Sequence, residues 1–198
     1  MSQLIETIRL QNGVFYNLEY HEARMRRTLK ELFDVTESRS LLEAVSKYDF
    51  PRVGLYKCRL VYNTIVQNFT FSEYDARPVQ SLKLIDDNEL SYNYKFSDRT
   101  KLNNLFKQRS SCDDVLIIKK GLVTDTTYTN IIFKKGTEWF TPASCLLQGT
   151  MRQQLIDLKK LRVIEISEFQ IRDFEKFKLI NSMLFDTGSE VDVSNIVR

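Results

Sequence analysis

The chain has 198 residues, 42% of them apolar and 28% charged, a balance that suits a globular domain with a real core or two small lobes packed together. Its net charge of +3 comes from interspersed residues of both signs, too weak and too dispersed to argue for a nucleic-acid partner. No apolar run approaches the ~20 residues of a membrane span, and the opening MSQLIETIRLQNG has acid and amide where a secretory leader needs a basic start and an apolar stretch. We therefore expect a cytoplasmic protein with no membrane partner. Cys58, Cys112 and Cys145 lie far apart and are odd in number, which suggests neither a disulfide frame nor a zinc site. His21 is the single histidine, so a His-based metal cluster or a Ser-His-Asp triad has no material unless His21 is itself the base.

LIETIRL alternates and breaks at Gln11-Asn12-Gly13, which predicts a strand and a hairpin turn. Asn17 is placed to cap a helix from Leu18 to Phe33, with Leu18, Met25, Leu29 and Leu32 as its apolar positions. SRSLLEAVSKY reads as a shorter helix. LYKCRLVYNTIVQNFTFSEY alternates on both sides of Asn63-Thr64 and predicts two antiparallel strands. Arg77-Pro78 marks a break, and we divide the chain into an N-terminal α/β lobe (1–80) and a larger β-rich C-terminal lobe (81–198). In the second lobe SLKLID and LSYNYKF read as strands, and SDRTKLNNLFKQR as a helix capped by Ser97. DVLIIKKGLVTD and NIIFKKGTEWFTP are two Gly-turned hairpins. MRQQLIDLKKL, after Gly149-Thr150, is a helix; RVIEIS is a strand, and FEKFKLINSML runs into a last apolar strand. The expected fold class is α+β.

Four places put reactive side chains at the edges of these elements. Lys95 closes an apolar-aromatic stretch just before a helix, where partial desolvation would lower its pKa and free an amine for Schiff-base work. Taken alone it reads more simply as a snorkelling surface lysine. Arg24 lies in HEARMRR, where a solvated helix face is the simpler reading. Gly149 and Thr150 open a helix, whose free N–H groups and dipole suit a phosphate. Asp125 sits in TDTTYTNIIF among hydroxyl and amide side chains, and could merely bridge a turn.

The order of these segments carries a resemblance that none carries singly. ETIRLQNGVFYNLEYHEARMRRT, a lysine at a strand end, DDVLIIKKGLVTDTTYTNIIF, WFTP and LLQGTMRQQL together resemble the class IV aminotransferase family. These are the fold-type IV pyridoxal-phosphate enzymes, which include branched-chain and D-amino-acid aminotransferases and 4-amino-4-deoxychorismate lyase. GLVTD and GTMR look most like the lyase branch. The resemblance implies a fold-type IV architecture and pyridoxal 5'-phosphate as cofactor. Arg24 in HEARM would bind the cofactor phosphate, together with the backbone N–H groups of Thr150 and Met151 and the loop at Asn181 and Ser182. Asp125 would face the pyridine nitrogen, where the family carries a glutamate, with the neighbouring hydroxyls orienting it. Lys95, followed by Arg99 four residues on, resembles the Schiff-base lysine; Lys101 in TKLNNL is the competitor and is one residue out of step.

Lys95 and Asp125 would thus be catalytic, with Arg59 in KCRLVY and Arg77 before Pro78 available for substrate carboxylates, although a surface ion pair is the simpler reading of each. His21 reads as structural, packing beside the phosphate arginine. The implied activity is a lyase forming 4-aminobenzoate and pyruvate from a small amino substrate. A small aminotransferase, or a degenerate relative that keeps the fold, is the alternative. A homodimer is the expected assembly, and no metal is expected.

Overall fold

A computed structural model describes residues 3–36, 40–184 and 188–198. Two compact units divide the chain: Met1–Ala76 with Tyr94–Asp98, and Arg77–Asn93 with Arg99–Arg198. The short piece Tyr94–Asp98, far along the sequence, therefore belongs with the N-terminal unit.

In the first unit β1 (Leu4–Gln11), β2 (Val14–Phe15), β3 (Leu55–Tyr62) and β4 (Val66–Glu73) form an antiparallel sheet in the order β2-β1-β3-β4. The β1–β2 hairpin closes on Asn12 (φ 50) and Gly13 (φ 79), the paired left-handed conformations of the tight turn that matches strand twist. Helix α1 (Leu18–Phe33) and the short α2 (Leu41–Val45) pack on this sheet, burying Met25, Leu41 and Val45 with Leu4, Ile8, Leu10, Cys58, Leu60 and Phe69. Ser40 caps α2 by accepting from the Glu43 N–H at 3.3 Å; Ser38 and Arg39 of the expected helix lie outside the described residues.

Three local expectations fail here for identifiable reasons. Asn17 does not cap α1 with its side chain: its backbone is left-handed (φ 63), and its carbonyl takes the Tyr20 and His21 N–H groups instead. LSYNYKF is not a strand, because Phe96 makes only an isolated bridge to Leu4. Ser97 does not cap a helix either: the helix begins at Thr100 with Arg99 at its N-cap, and the Ser97 N–H donates to the Gln3 carbonyl at 2.8 Å. The Lys95 carbonyl accepts from Ile5 N–H at 2.9 Å, so this segment is stitched along β1.

The second unit is built on β5 (Leu82–Asp86), α3 (Thr100–Phe106), β6 (Asp114–Lys119), β7 (Leu122–Thr126), β8 (Asn130–Lys135), β9 (Glu138–Pro142), α4 (Thr150–Asp157), β10 (Arg162–Ile164), β11 (Lys176–Ile180), β12 (Val191–Asp192) and β13 (Ile196–Val197). Its mixed sheet runs β10-β9-β8-β7-β6-β5-β13, with β11 paired to β8 and β12. The two Gly-turned hairpins form as expected, β6–β7 on Lys120-Gly121 and β8–β9 around Gly136. β6 is buried on both faces from Asp114 to Ile118, which explains its continuous apolar run. The core joins Leu82, Leu116, Ile118, Val123, Ile131, Phe133, Phe177 and Leu179. Mixed α+β units with few helices match the expected fold class. Leu60 has no solvent exposure at the centre of the first unit's core. Leu60→Ala should cost about 2–5 kcal/mol of stability, read by denaturant unfolding.

Candidate active site

Alternation along β1 directs Leu4, Glu6, Ile8 and Leu10 to one face, and all four are essentially unexposed. Glu6 is the one charge in that apolar row. Helix α1 supplies its partners three residues apart, on one face of the helix. Arg24 Nε donates to Glu6 Oε1 at 2.9 Å, Arg24 Nη2 donates to Oε2, and His21 Nδ1 lies 2.6 Å from Oε2. Burial raises the Glu6 pKa, but the Arg24 charge and the His21 and Arg24 hydrogen bonds outweigh it and hold the carboxyl at about 2. His21 moves the other way: burial lowers its pKa, the Arg24 and Lys95 charges add to that, and Glu6 opposes them. The imidazole is therefore held neutral. Its Nε2 is buried and has no hydrogen-bond partner among the described residues.

Lys95 is half-buried in the segment alongside β1, and its charge is felt at His21. Lys101, by contrast, lies exposed on α3. The side chain of Arg59 is half-buried on β3 opposite Thr7 and Thr70, on the strand positions facing away from the apolar row. Arg77, in the second unit, is exposed with its guanidinium 5.9 Å from the Phe106 ring centre.

In the second unit Asp125 is buried, and its carboxylate accepts from Asn130 Nδ2 at 2.8 Å and from Leu147 N–H at 2.9 Å. Burial lifts its pKa to about 6 against the pull of those two donors and the nearby Arg152 charge. The threonine hydroxyls do not orient it. Thr124 donates to the Ile117 carbonyl, Thr126 pairs with Thr129, and Thr127 donates to the buried Asp114 at 2.7 Å. Those hydroxyls are needed to close β7 and its turn, and that need takes precedence over the acid. Asn130 does the orienting, since it also donates to the Leu147 carbonyl.

Gly149 precedes α4, and the buried Thr150 and Met151 form its first turn, where N–H groups have no partner within the helix. A Cβ on Gly149 would lie 1.9 Å from Asn130 Oδ1, so the glycine lets the helix start pass directly against the residue that holds Asp125. Arg152 is buried on α4 and donates to Thr141 Oγ1 and the Pro142 carbonyl, which ties the helix to the TP end of β9. Asn181 Oδ1 accepts from Met183 and Leu184 N–H, both at 2.8 Å, and so builds its own turn; Ser182 lies within it. Glu6, Asn130 and Asp114, which hold Arg24, Asp125 and Thr127, are residues that the sequence reading passed over. Glu6 was marked by its place in the β1 alternation and by the His-x-x-Arg spacing on the following helix.

The first unit thus holds a buried arginine with its fork fixed by Glu6, and the second a buried acid lifted towards neutrality and held by a residue that lies against a helix start. Residues 3–185 match the model of amino-transferase class IV, and the chain belongs to that family. It is 33% identical over 186 residues to an uncharacterized protein of Haemophilus influenzae, covering 92% of this chain and 98% of that one. A solved structure from Haemophilus somnus 129PT, provisionally named 4-amino-4-deoxychorismate lyase, superposes with a TM-score of 0.87 at 34% identity, over 92% of this chain and 97% of that one. The D-alanine aminotransferase of Bacillus licheniformis is 23% identical over 94% of this chain and 75% of its own length.

Two consequences can be measured. Glu6 has a folded pKa of about 2 against an ordinary 4.5, and His21 is lowered from 6.5, so both give stability that is present above those ordinary values. Stability should fall as pH drops below 6.5 and again between 4.5 and about 2. Glu6→Gln should flatten the lower part of that profile while costing about 3–5 kcal/mol at neutral pH, because Arg24 is left buried without its counter-charge. Gly149→Ala should displace Asn130 and weaken cofactor affinity by at least about tenfold, roughly the worth of one charged hydrogen bond, read by fluorescence titration with pyridoxal phosphate.

Proposed function

We propose that the chain holds pyridoxal 5'-phosphate on Lys95 and acts as a lyase on 4-amino-4-deoxychorismate, releasing pyruvate and leaving 4-aminobenzoate. The observation that carries the cofactor reading is Asp125, a buried acid near 6 with both oxygens already oriented. Such a carboxylate is suited to a protonated ring nitrogen, whose charge would repay its desolvation. Arg24, with its plane fixed by Glu6, and the N–H groups of Thr150 and Met151 suit the phosphate. Asn181 and Ser182 are proposed to contribute backbone groups to the same phosphate, since the Asn181 side-chain oxygen accepts within its own turn.

When bound, the cofactor supplies an electron sink for charge developing next to the substrate nitrogen. Once the substrate amine has taken its place on the cofactor, the Lys95 amine would remove the proton from the amine-bearing ring carbon as the ring C–O bond to the three-carbon side chain breaks, and would return it to the methylene carbon of that side chain, which leaves as pyruvate. Aromatisation drives the cleavage. Arg59 and Arg77 are proposed to receive the substrate carboxylates, and the protein is proposed to work as a cytoplasmic homodimer. No helix among the described residues is long and apolar enough to cross a membrane.

The lyase reading draws support from the Haemophilus somnus structure, which is similar along nearly the whole chain. The second reading, an aminotransferase, draws on the likeness to D-alanine aminotransferase. Pyruvate release from 4-amino-4-deoxychorismate with no 2-oxo acid present should be stoichiometric with 4-aminobenzoate, and Lys95→Ala should lose on the order of 10²–10⁴-fold of that rate. Turnover that requires a 2-oxo acid acceptor would instead establish the aminotransferase.

A further inference from the structure

The buried Asp114 has no part in the reading above. It opens β6 with 4% exposure and forms no ion pair among the described residues. Burial raises its pKa, and only hydroxyl and N–H donors oppose that. Its Oδ1 accepts from the Val115 N–H at 2.8 Å and from the Thr127 hydroxyl at 2.7 Å. The Thr127 carbonyl is held by a second element. Arg99, at the N-cap of α3, donates Nη2 to it at 2.6 Å and lays its guanidinium 4.2 Å from the centre of the Tyr128 ring. Two elements thus grip one residue of the β7–β8 turn, one by its side chain and the other by its backbone.

That turn matters because the hairpin it closes is hardly paired. β7 and β8 are in register at one residue pair among the described residues, Asp125 opposite Asn130. A ladder of several pairs would fix the height of Asn130 by itself; one pair leaves that to the turn. Within the turn the Thr126 N–H donates to the Thr129 carbonyl at 3.0 Å and the two hydroxyls lie 2.8 Å apart, so Thr126–Thr129 is tied into one piece. Asn130 follows that piece directly and brings Nδ2 to Asp125 at 2.8 Å. The other donor to Asp125, the Leu147 N–H, comes from the loop before α4 and owes nothing to the turn. Arg152, whose charge also reaches Asp125, directs its own donors at Thr141 and Pro142.

We propose that Arg99 and Asp114 are positioning residues that clamp Thr127 and thereby set Asn130 on Asp125. The functional meaning rests on the reading of Asp125 as the acid facing the cofactor ring, but the clamp itself needs no cofactor. Neither residue hydrogen-bonds Asp125, and no proton moves through the clamp. Arg99 fixes the turn at the backbone and Asp114 at the hydroxyl. The turn then fixes the amide that orients the acid.

The titration of Asp125 in cofactor-free protein reads the clamp. Its carboxyl carbon, followed by carbon-13 NMR and assigned by difference with Asp125→Asn, should titrate near 6 in the wild type. Thr127→Val keeps the shape and removes the hydroxyl. With Asn130 loosened, Asp125 loses a donor to its charged form, so its midpoint should rise by about one pH unit, the worth of one hydrogen bond. Arg99→Met should move it in the same direction, and Thr127→Ser, which restores the hydroxyl, should return it to the wild-type value. Val191→Ala is a core change on β12, a strand that pairs with neither β7 nor β8; it should lower stability and leave the midpoint in place. A midpoint unmoved in Thr127→Val or in Arg99→Met, or moved equally by Val191→Ala, overturns the proposal. If Thr127→Val does not fold, Arg99→Met, at a half-buried position, still decides. The expected shifts in a chain whose Lys95 takes no pyridoxyl label would sink the proposed function and leave the clamp standing.

Discussion

A carboxylate with no exposure in the middle of an apolar strand face dictates the layout of the first unit. Glu6 could not remain charged there without partners, because removing a carboxylate from water costs several kcal/mol. Helix α1 supplies them at His21 and Arg24, so the helix must cross β1 with that face inward and at that height. Leu4, Ile8 and Leu10 would tolerate small shifts of the helix; the Glu6 fork would not. The same ionic contact that threatens the core therefore fixes its register and, with it, the direction of the guanidinium.

The second unit treats its buried acid in the opposite way. Glu6 meets a full positive charge and is driven down to about 2, whereas Asp125 meets an amide, a backbone N–H and a more distant arginine and rises to about 6. Dipolar donors orient a carboxylate without neutralising it. An acid left in that condition is poised for a cation, and Gly149 lets the start of α4 lie against the residue that holds it. Two acids of one chain are thus pushed apart in pKa by their surroundings.

Much of this was legible in the sequence where the local signal and the tertiary demand agree. Asn12-Gly13 and Lys120-Gly121 closed hairpins because turn chemistry is local. The helix at Leu18–Phe33 formed where its apolar spacing placed it, although Leu32 is exposed and His21, Arg24 and Thr28 are buried with Met25. Leu90–Phe96 did not follow its alternation, because Lys95 and Ser97 are bound to residues ninety positions away and no local pattern carries that. The hydroxyls of TDTTYTN were read as serving Asp125 because they surround it in sequence; strand alternation sends them elsewhere, and Asn130 across the β7–β8 turn reaches the acid instead. Glu6 was visible in LIETIRL as a charge at an inward position, yet a lone acid in a strand becomes meaningful only once the His-x-x-Arg helix is laid over it.

We propose that pyridoxal phosphate is bonded to Lys95. Borohydride reduction of the protein after incubation with pyridoxal phosphate, followed by peptide mapping, tests it most directly. The account predicts a single pyridoxyl adduct on Lys95. An adduct on Lys101, or none on either lysine, would contradict it.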